Sequence, residues 1–342
     1  MKHKIIFRIL LTLSFLLLLG FPALSLEGAR KGLLLWYNTV LPTLLPFMIC
    51  MNLMVSFGAV NLLAAPFYPV LHRLLGLSRA GSFILLSGML CGYPMGAKNC
   101  SDFLDNDCLS LSEARCLYAV SSFPSPMFLA GYMMHMVNSG PQPILLPLWK
   151  MAAAVYLPAL FLFFPAAACY KLHRFPKSFR FRSGCLSDHS PLSDHSPTTD
   201  TVEKNTVLPL TGTPPIPTAP PSLDEALLSS MEVMVKIGGY IMLFSILAVF
   251  IRHLPLPGTL LPAFFITVAE MTTGIEYASL HFPGRLKILL IGFGGAFGGL
   301  SGAFQVRSVT KNAGLSIRHY LFWKTAHGLF TVIILILLAV RH

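Results

Sequence analysis

Residues 86–99 combine an apolar run with groups that could hold an anion. The run reads LSGMLCGYPMGAKN, in which a Gly-Tyr-Pro sequence breaks the apolar pattern. Backbone groups freed by such a break cannot face lipid, so they must be buried in protein or line a watery cavity. Pro94 suits the first turn of a new half-helix, which would leave the amides of Met95 and Gly96 free at its positive end. Lys98 would add a full charge one turn further.

The same residues also have a purely structural interpretation. Gly92 and Gly96 would permit close packing of two helices, and the Lys98 side chain could extend to the inner membrane interface. The sequence alone leaves both interpretations open for Lys98 and for the backbone around it.

A second candidate group lies in the other half of the chain. Glu270 stands within an apolar run and is followed by the sequence MTTG. An ionisable residue inside a membrane span is costly, and by default it indicates a functional site with a partner. We expect Lys98 to be that partner, and we expect burial to let Glu270 take up a coupling proton. The alternative is a glutamate that only caps a helix.

Two further segments supply polar groups to the predicted site. Serines and prolines at residues 121–126 interrupt an apolar segment and provide hydroxyls and freed carbonyls. Six glycines between residues 292 and 302 form a packing surface, beside which Gln305 contacts either substrate or a neighbouring helix. The predicted substrate-binding residues are Gly92, Tyr93, Pro94, Met95, Gly96, Lys98, Ser122, Ser125, Glu270, Thr272, Thr273, Gly274 and Gln305.

The sequence shows no arrangement typical of an enzyme. It contains no HExxH sequence, and no paired carboxylates or Ser-His-Asp set stand out. We therefore predict no catalytic residues, no metal site and no cofactor.

The composition is that of a polytopic membrane protein. Of the 342 residues, 54% are hydrophobic and 11% are charged, whereas soluble domains have about 45–50% and 25%. The formal net charge of +11 lies mainly in short loops, where it indicates membrane orientation and not nucleic-acid binding. We predict an all-α fold with the lipid bilayer as its main partner. Apolar segments occur near residues 5–26, 33–57, 81–97, 116–137, 144–170, 226–252, 259–281, 286–306 and 320–340.

Charge distribution predicts which segments cross the bilayer. The basic N-terminus and the basic residues after position 170 should both be cytoplasmic, which requires an even number of crossings between them. Five apolar segments lie in that interval, so we expect residues 81–97 to form a re-entrant hairpin. Residues 259–281 become a second re-entrant element, and Lys324 then lies at the cytoplasmic side. Two repeats of opposite orientation result, as in secondary transporters.

Several stretches resemble a known family. They are LLLWYNTVLPTLLPFMICMNLM, SGMLCGYPMGAKNC, SSFPSPMFLAG, VAEMTTGIEYAS and GFGGAFGGLSGAFQV. They resemble the sporulation integral membrane protein YlbJ family, which carries nucleoside-recognition (Gate) domains. The resemblance implies a transporter-like protein of endospore-forming bacteria, linked to passage of dipicolinic acid into the developing spore. Because the Gate grouping also includes parts of nucleoside transporters, a nucleoside is the alternative substrate.

Four regions and one function follow from these observations. We expect an N-terminal transmembrane helix (1–30), a first gate repeat (31–170), a cytoplasmic disordered linker (171–224) and a second gate repeat (225–342). The expected function is alternating-access transport of a small anionic or aromatic metabolite, coupled to a proton or cation, in the cell membrane or a forespore membrane. The alternative is a non-transporting membrane scaffold that acts through its basic linker.

Overall fold

The computed structural model describes residues 2–140, 144–172, 223–310 and 314–339. Within these ranges the chain is helical and contains no β-strand. The predicted linker, residues 171–224, lies outside the described residues except for its first two and last two positions. The helices are α1 (Lys2–Gly20), α2 (Pro22–Leu35), α3 (Leu41–Ser56), α4 (Val60–Ala64), α5 (Tyr68–Leu75), α6 (Arg79–Cys91), α7 (Met95–Asp105), α8 (Leu111–Val120), α9 (Met134–Asn138), α10 (Leu148–Cys169), α11 (Leu223–Arg252), α12 (Leu260–Ala269), α13 (Met271–His281), α14 (Gly284–Phe297), α15 (Gly299–Val309) and α16 (Ile317–Ala339). Two π-helical turns, Trp36–Val40 and Phe128–Met133, join α2 to α3 and precede α9.

The described residues contain five helical stretches that are long and apolar enough to cross a membrane. If the pair α5 and α6, which is bent by 103°, is counted as one span, these residues contain at most six. The stretch Gly284–Val309 is the most buried of the five and lies at the centre of the fold. The predicted all-α, multi-pass membrane architecture is confirmed. The five stretches are Pro22–Ser56, Leu148–Cys169, Leu223–Arg252, Gly284–Val309 and Ile317–Leu338.

The first long span begins earlier than the apolar pattern predicts. The chain breaks at Phe21, and Pro22 starts a helical stretch that continues to Ser56. The predicted boundary between residues 30 and 31 therefore falls inside a continuous helix. Within this stretch the helix packs tightly against α11, because a Cβ on Gly32 would lie 2.7 Å from the Cα of Met242. Such close backbone contact is what small residues permit between membrane helices.

Helices α6 and α7 form a hairpin, as the interrupted pattern predicts. The Asn99 side-chain amide donates to the Ser87 hydroxyl at 2.9 Å, although twelve residues of continuous helix would separate them by about 18 Å. Gly88 and Gly96 face each other across the two helices, where a Cβ on Gly96 would lie 3.1 Å from the Cα of Gly88. The chain therefore turns back at residues 92–94.

Helices α12 and α13 form a second hairpin around Glu270. A Cβ on Gly274 would lie 2.7 Å from the Cβ of Thr267, although seven residues of continuous helix would separate the two positions by about 10 Å. Both segments predicted to be re-entrant therefore fold back on themselves.

The helices that follow each hairpin are also interrupted. After α8, residues 121–125 are not helical, and α14 is separated from α15 at Gly298. Gly298 and Gly299 have φ angles of +83° and +69°, which residues with a Cβ adopt only at a cost. Each half of the chain thus has the same order of a hairpin, an interrupted helix and an uninterrupted span, α10 or α16.

The apolar core has two parts that meet at one tyrosine. The larger part surrounds Phe83 and Leu117, and the smaller part surrounds Met133 and Ile291. Tyr156 of α10 packs against both parts, and its hydroxyl donates to the carbonyl of Pro124 at 2.9 Å. The interrupted segment after α8 is thereby fixed where the two parts of the core join.

Candidate functional site

Four interruptions in the described part of the chain meet around one cavity. They are residues 92–94, residues 121–125, Glu270 and Gly298, so each half contributes two. The cavity volume is about 30 Å³, which is room for about two water molecules. Tyr93, Ser125, Glu270 and Gln305 of the predicted site therefore share one space. The full lining is Val40, Thr43, Leu44, Tyr93, Pro124, Ser125, Phe128, Ile241, Glu270, Met271, Gly298 and Gln305.

Tyr93 connects the two halves of the chain. Its hydroxyl donates to the carbonyl of Gly295 at 2.7 Å and lies 3.2 Å from the carbonyl of Ala296. A Cβ at Gly298 would lie 3.0 Å from the Tyr93 ring. The break of the first hairpin therefore packs directly against the break between α14 and α15.

Glu270 is buried, with 1% of its surface exposed. One of its two carboxylate oxygens accepts three hydrogen bonds. Oε2 accepts hydrogen bonds from the Thr273 amide at 2.7 Å, the Thr273 hydroxyl at 2.9 Å and the Thr272 hydroxyl. Glu270 thus caps α13, as the structural alternative predicts. Among the described residues no hydrogen bond reaches Oε1. Capping through Oε2 thus leaves the second oxygen without a hydrogen bond from the described residues.

The remaining polar residues of the cavity are held by local hydrogen bonds. The Ser125 hydroxyl accepts from the Phe128 amide at 3.1 Å, and the Gln305 amide donates to the Ser301 hydroxyl at 3.1 Å. Next to the cavity, the carbonyl of Thr272 accepts from the Tyr132 hydroxyl at 2.8 Å, which is a bond between the two halves of the chain. These bonds fix the cavity wall in both halves.

The prediction that Lys98 pairs with Glu270 is wrong. The Lys98 amine lies 2.9 Å from the Asp102 carboxylate, one turn along α7. Lys98 and Asp102 line a separate pocket together with Asn52. The reason is the fold-back at residues 92–94, which turns α7 away from the cavity after Tyr93.

The backbone amide of Met95 is not free, contrary to expectation. It donates to the carbonyl of Gly92 at 3.0 Å. Gly96 packs against Gly88 and the carbonyl of Ser121, and Gly274 packs against Thr267. Gly92 and Pro94 shape the turn itself, since Gly92 has a φ of +79° and Pro94 precedes the first residue of α7. These positions support the cavity through packing and backbone shape.

Sequence reasoning missed a buried lysine behind the cavity wall. Lys324 and His327 of α16 are 1% and 4% exposed. The Lys324 amine donates to the Tyr93 hydroxyl at 3.1 Å and to the Ser122 carbonyl at 2.8 Å, and it lies 3.2 Å from Nδ1 of His327. Nε2 of His327 lies 2.7 Å from the carbonyl of Val155. Ser122 thus takes part through its backbone.

The placement of Lys324 corrects its assignment to the cytoplasmic side. Lys324 lies seven residues inside α16, about 10 Å from the helix start. A lysine at that depth in an apolar run was the signal available in the sequence, because intramembrane charges are rare and usually functional.

Two larger pockets lie along the Pro22–Ser56 helix on either side of the cavity. The first, which we call the vestibule, has a volume of about 520 Å³, contains Lys31, His135 and Glu276 and shares Thr43 with the cavity. The second, the Lys98 pocket, has a volume of about 260 Å³ and contains Asn52. Lys31 and Asn52 are separated by about 30 Å of helix. The three spaces thus follow one line through the fold.

The chain can now be compared with known proteins. A stretch of 110 residues is 32% identical to the sporulation integral membrane protein YlbJ of Bacillus subtilis (strain 168). The chain is similar to a sporulation integral membrane protein. The match covers 32% of this chain and 27% of the relative's length, and it confirms the predicted resemblance to YlbJ. No family model and no solved structure matches the chain.

The protein is therefore a multi-pass membrane protein related to a sporulation protein. In the part of the chain that the structure describes, no group of three His, Cys, Asp or Glu side chains is placed to hold a metal ion. The chemistry of the cavity thus rests on one carboxyl group, hydroxyls, an amide and the buried lysine behind Tyr93.

Proposed function

We propose that this protein is a secondary-transporter-like membrane protein that moves a small anionic or aromatic metabolite by alternating access. The observation that carries the proposal is the meeting of four helix interruptions in one cavity, whose lining includes the Glu270 carboxyl group. Non-helical backbone at membrane depth is tolerated where it lines a cavity. Secondary transporters build their substrate and ion sites from such interrupted helices.

The two halves of the chain are proposed to act as inverted gate repeats. Support comes from their common order of hairpin, interrupted helix and span, with α6–α7 corresponding to α12–α13. Tyr93 of one half contacts Gly298 of the other half directly. In alternating access, one repeat rocks against the other around the site between them.

We propose that the cavity represents an occluded state, which its small volume supports. About 30 Å³ is far below the roughly 300–1,000 Å³ of pockets that hold small molecules. The vestibule, at about 520 Å³, falls within that range and meets the cavity at Thr43. We therefore infer that a metabolite enters the vestibule and reaches Glu270 only when the cavity widens.

Glu270 is the proposed coupling group. Its Oε2 caps α13, while Oε1 has no hydrogen bond from any described residue. A proton or a monovalent cation can therefore bind at Oε1 and leave without breaking the cap. Loading and unloading of this oxygen would couple metabolite movement to an ion gradient.

The substrate class rests on the relative and on the family resemblance. The relative's name places it in sporulation, and the resemblance implies a planar dicarboxylate such as dipicolinate, with a nucleoside as the alternative. A sporulation role would place the protein in the cell membrane or a forespore membrane. We propose no catalytic activity for it.

Uptake by purified protein in proteoliposomes tests the proposal. Radiolabelled dipicolinate and uridine are presented separately, with an inward proton gradient and with the gradient collapsed. We expect saturable dipicolinate uptake that depends on the gradient. Saturable uridine uptake alone would replace the anion with a nucleoside, and absence of both would contradict transport of these two substrates.

Deletion of residues 183–220 separates transport from the scaffold alternative. The deletion lies within the predicted linker and leaves all described helices intact. Under the transport proposal, uptake by the deleted protein stays within about twofold of wild type, because the deletion removes none of the residues that are described around the cavity. A sporulation defect caused by this deletion, but not by Glu270→Gln, would favour the scaffold.

A further inference from the structure

Lys324 is a buried amine with no carboxylate beside it. Among the described residues, no ion pair within 4.0 Å includes Lys324. The helices that pack against α16 in the described chain, α8, α10, α14 and α15, carry one carboxylate between them, Glu113. That carboxylate accepts from the Ser78 amide at 2.7 Å at the start of α8. The titratable side chains in hydrogen-bond contact with Lys324 among the described residues are Tyr93 and His327, and Tyr156 and Tyr320 lie near Tyr93.

The hydrogen bonds around Lys324 match those of an ammonium group. An ammonium has three N–H donors, and three acceptors surround Nζ, namely the Tyr93 hydroxyl, the Ser122 carbonyl and Nδ1 of His327. Nε2 of His327 must carry a hydrogen, because its partner, the carbonyl of Val155, only accepts. Nδ1 is then the acceptor for Lys324. The three acceptors thus fit a pair of side chains that holds one excess proton, and hence one positive charge.

This charge lies directly behind the cavity wall. Tyr93 lines the cavity, and the Lys324 amine lies 4.8 Å from the centre of its ring. Ser122, which accepts from Lys324, is two and three residues from Pro124 and Ser125, which also line the cavity. The available negative group in the wall is Glu270. A buried charge is stable only when an opposite charge compensates it.

We propose that the Lys324–His327 pair supplies the positive charge that selects an anion in the cavity, and that the bound anion replaces the charge of Glu270. The inference rests on the transport function proposed above and deepens it. When the anion enters, Glu270 takes up one proton from the water on the same side. That proton leaves with the anion on the other side, so the buried charges balance in both states for an anion of one negative charge. A dicarboxylate such as dipicolinate, which carries two negative charges at neutral pH, takes up a second proton of its own.

Purified protein provides the test, with dipicolinate as the probe. We expect Lys324→Met to raise the Kd for dipicolinate about tenfold or more, because a charge within a few ångströms of the cavity acts through a low-dielectric wall. Lys324→Arg keeps the charge and should recover most of the affinity. The thermal stability of each ligand-free variant is measured in parallel, so that Kd values are compared only between variants that are folded.

Proton uptake provides a readout that a purely structural lysine would not alter. In weakly buffered solution, dipicolinate binding should remove about two protons per bound molecule from the water by linkage, one for Glu270 and one for the second ligand carboxylate. Glu270→Gln should reduce this uptake to about one proton. Equal Kd values for wild type and Lys324→Met, or no recovery in a folded Lys324→Arg protein, would overturn the role of the lysine charge.

The two proposals fail in different ways. If wild-type protein neither binds nor transports dipicolinate, the proposed function fails and this inference fails with it. If wild-type protein binds the anion and the folded Lys324→Met protein binds it equally well, only the inference about Lys324 is overturned.

Discussion

The Tyr93 hydroxyl donates a hydrogen bond to the carbonyl of Gly295 at 2.7 Å, across 202 residues of sequence. Gly295 lies in the last turn of α14, where carbonyls lack partners within the helix. Tyr93 therefore satisfies the end of α14 from the opposite half of the chain. The same hydroxyl accepts a hydrogen bond from the Lys324 amine. Tyr93 thus connects the break of the first hairpin to the end of α14 and to the buried lysine of α16.

Removing that hydroxyl tests this connection. Tyr93→Phe keeps the ring against Gly298 but leaves the Gly295 carbonyl and one donor of Lys324 without their partner. We expect a loss of about 1–3 kcal/mol in the free energy of unfolding, because buried polar groups become unsatisfied. Thermal unfolding in detergent measures the effect. Tyr277→Phe, on the second hairpin outside the cavity, is the control and should change stability by less than about 0.5 kcal/mol.

Glu270→Gln separates the charge of the carboxyl group from its capping role. The glutamine carbonyl can still accept from the Thr273 amide, so we expect the protein to fold. Uptake in proteoliposomes should fall at least about tenfold, because a neutral amide cannot exchange the coupling proton. Lys98→Ala is the matched control. Since Lys98 pairs with Asp102 in a separate pocket, its loss should leave uptake within about threefold of wild type.

Equal loss of uptake in Lys98→Ala and Glu270→Gln would contradict this assignment. It would show that the Lys98 pocket is as important for movement of the substrate as the central cavity.

Gly298 and Gly302 form a matched pair for testing the helix break. Gly298 has a φ of +83° and lies against the Tyr93 ring, whereas a Cβ on Gly302 would meet nothing within 4 Å. We expect Gly298→Ala to cost at least about 1–2 kcal/mol of stability through its left-handed backbone alone. Gly302→Ala in the middle of α15 should be neutral or stabilising. Equal unfolding temperatures for the two variants would contradict a required turn at Gly298.

The interrupted helices could be predicted from the sequence because the residues that break them are local. A Gly-Tyr-Pro run and a glutamate followed by two threonines mark both hairpins, and both hairpins are present. The partners of these residues could not be predicted in the same way. Lys98 was expected at Glu270, but its charge is satisfied one turn away by Asp102, a local pair that competes with any distant one.

Lys324 illustrates the opposite case. Its acceptor His327 lies one turn away on α16, but the other two belong to residues 93 and 122, which only the folded chain brings to Lys324. Charge counting along the sequence favours a lysine near a helix end at the cytoplasmic surface. Only the depth of Lys324 in α16 argues for a buried role, and the topology prediction did not weigh that depth.

Cysteine accessibility tests the predicted orientation of the two hairpins. Asp105→Cys at the end of α7 and Thr259→Cys before α12 both replace exposed side chains. Each is made in a background without the native cysteines and labelled in intact cells with a membrane-impermeant thiol reagent. We expect labelling of residue 259 from outside and of residue 105 only after permeabilisation. Labelling of both from the same side would contradict two repeats of opposite orientation.

The most direct test of alternating access is the accessibility of Ser125, which lines the central cavity. Ser125→Cys is nearly isosteric and is placed in the same cysteine-free background, in proteoliposomes of known orientation. A small impermeant thiol reagent is applied to one side at a time, with and without saturating dipicolinate. The account predicts modification from either side and protection by dipicolinate. Modification from one side only, with no protection by dipicolinate, would contradict it.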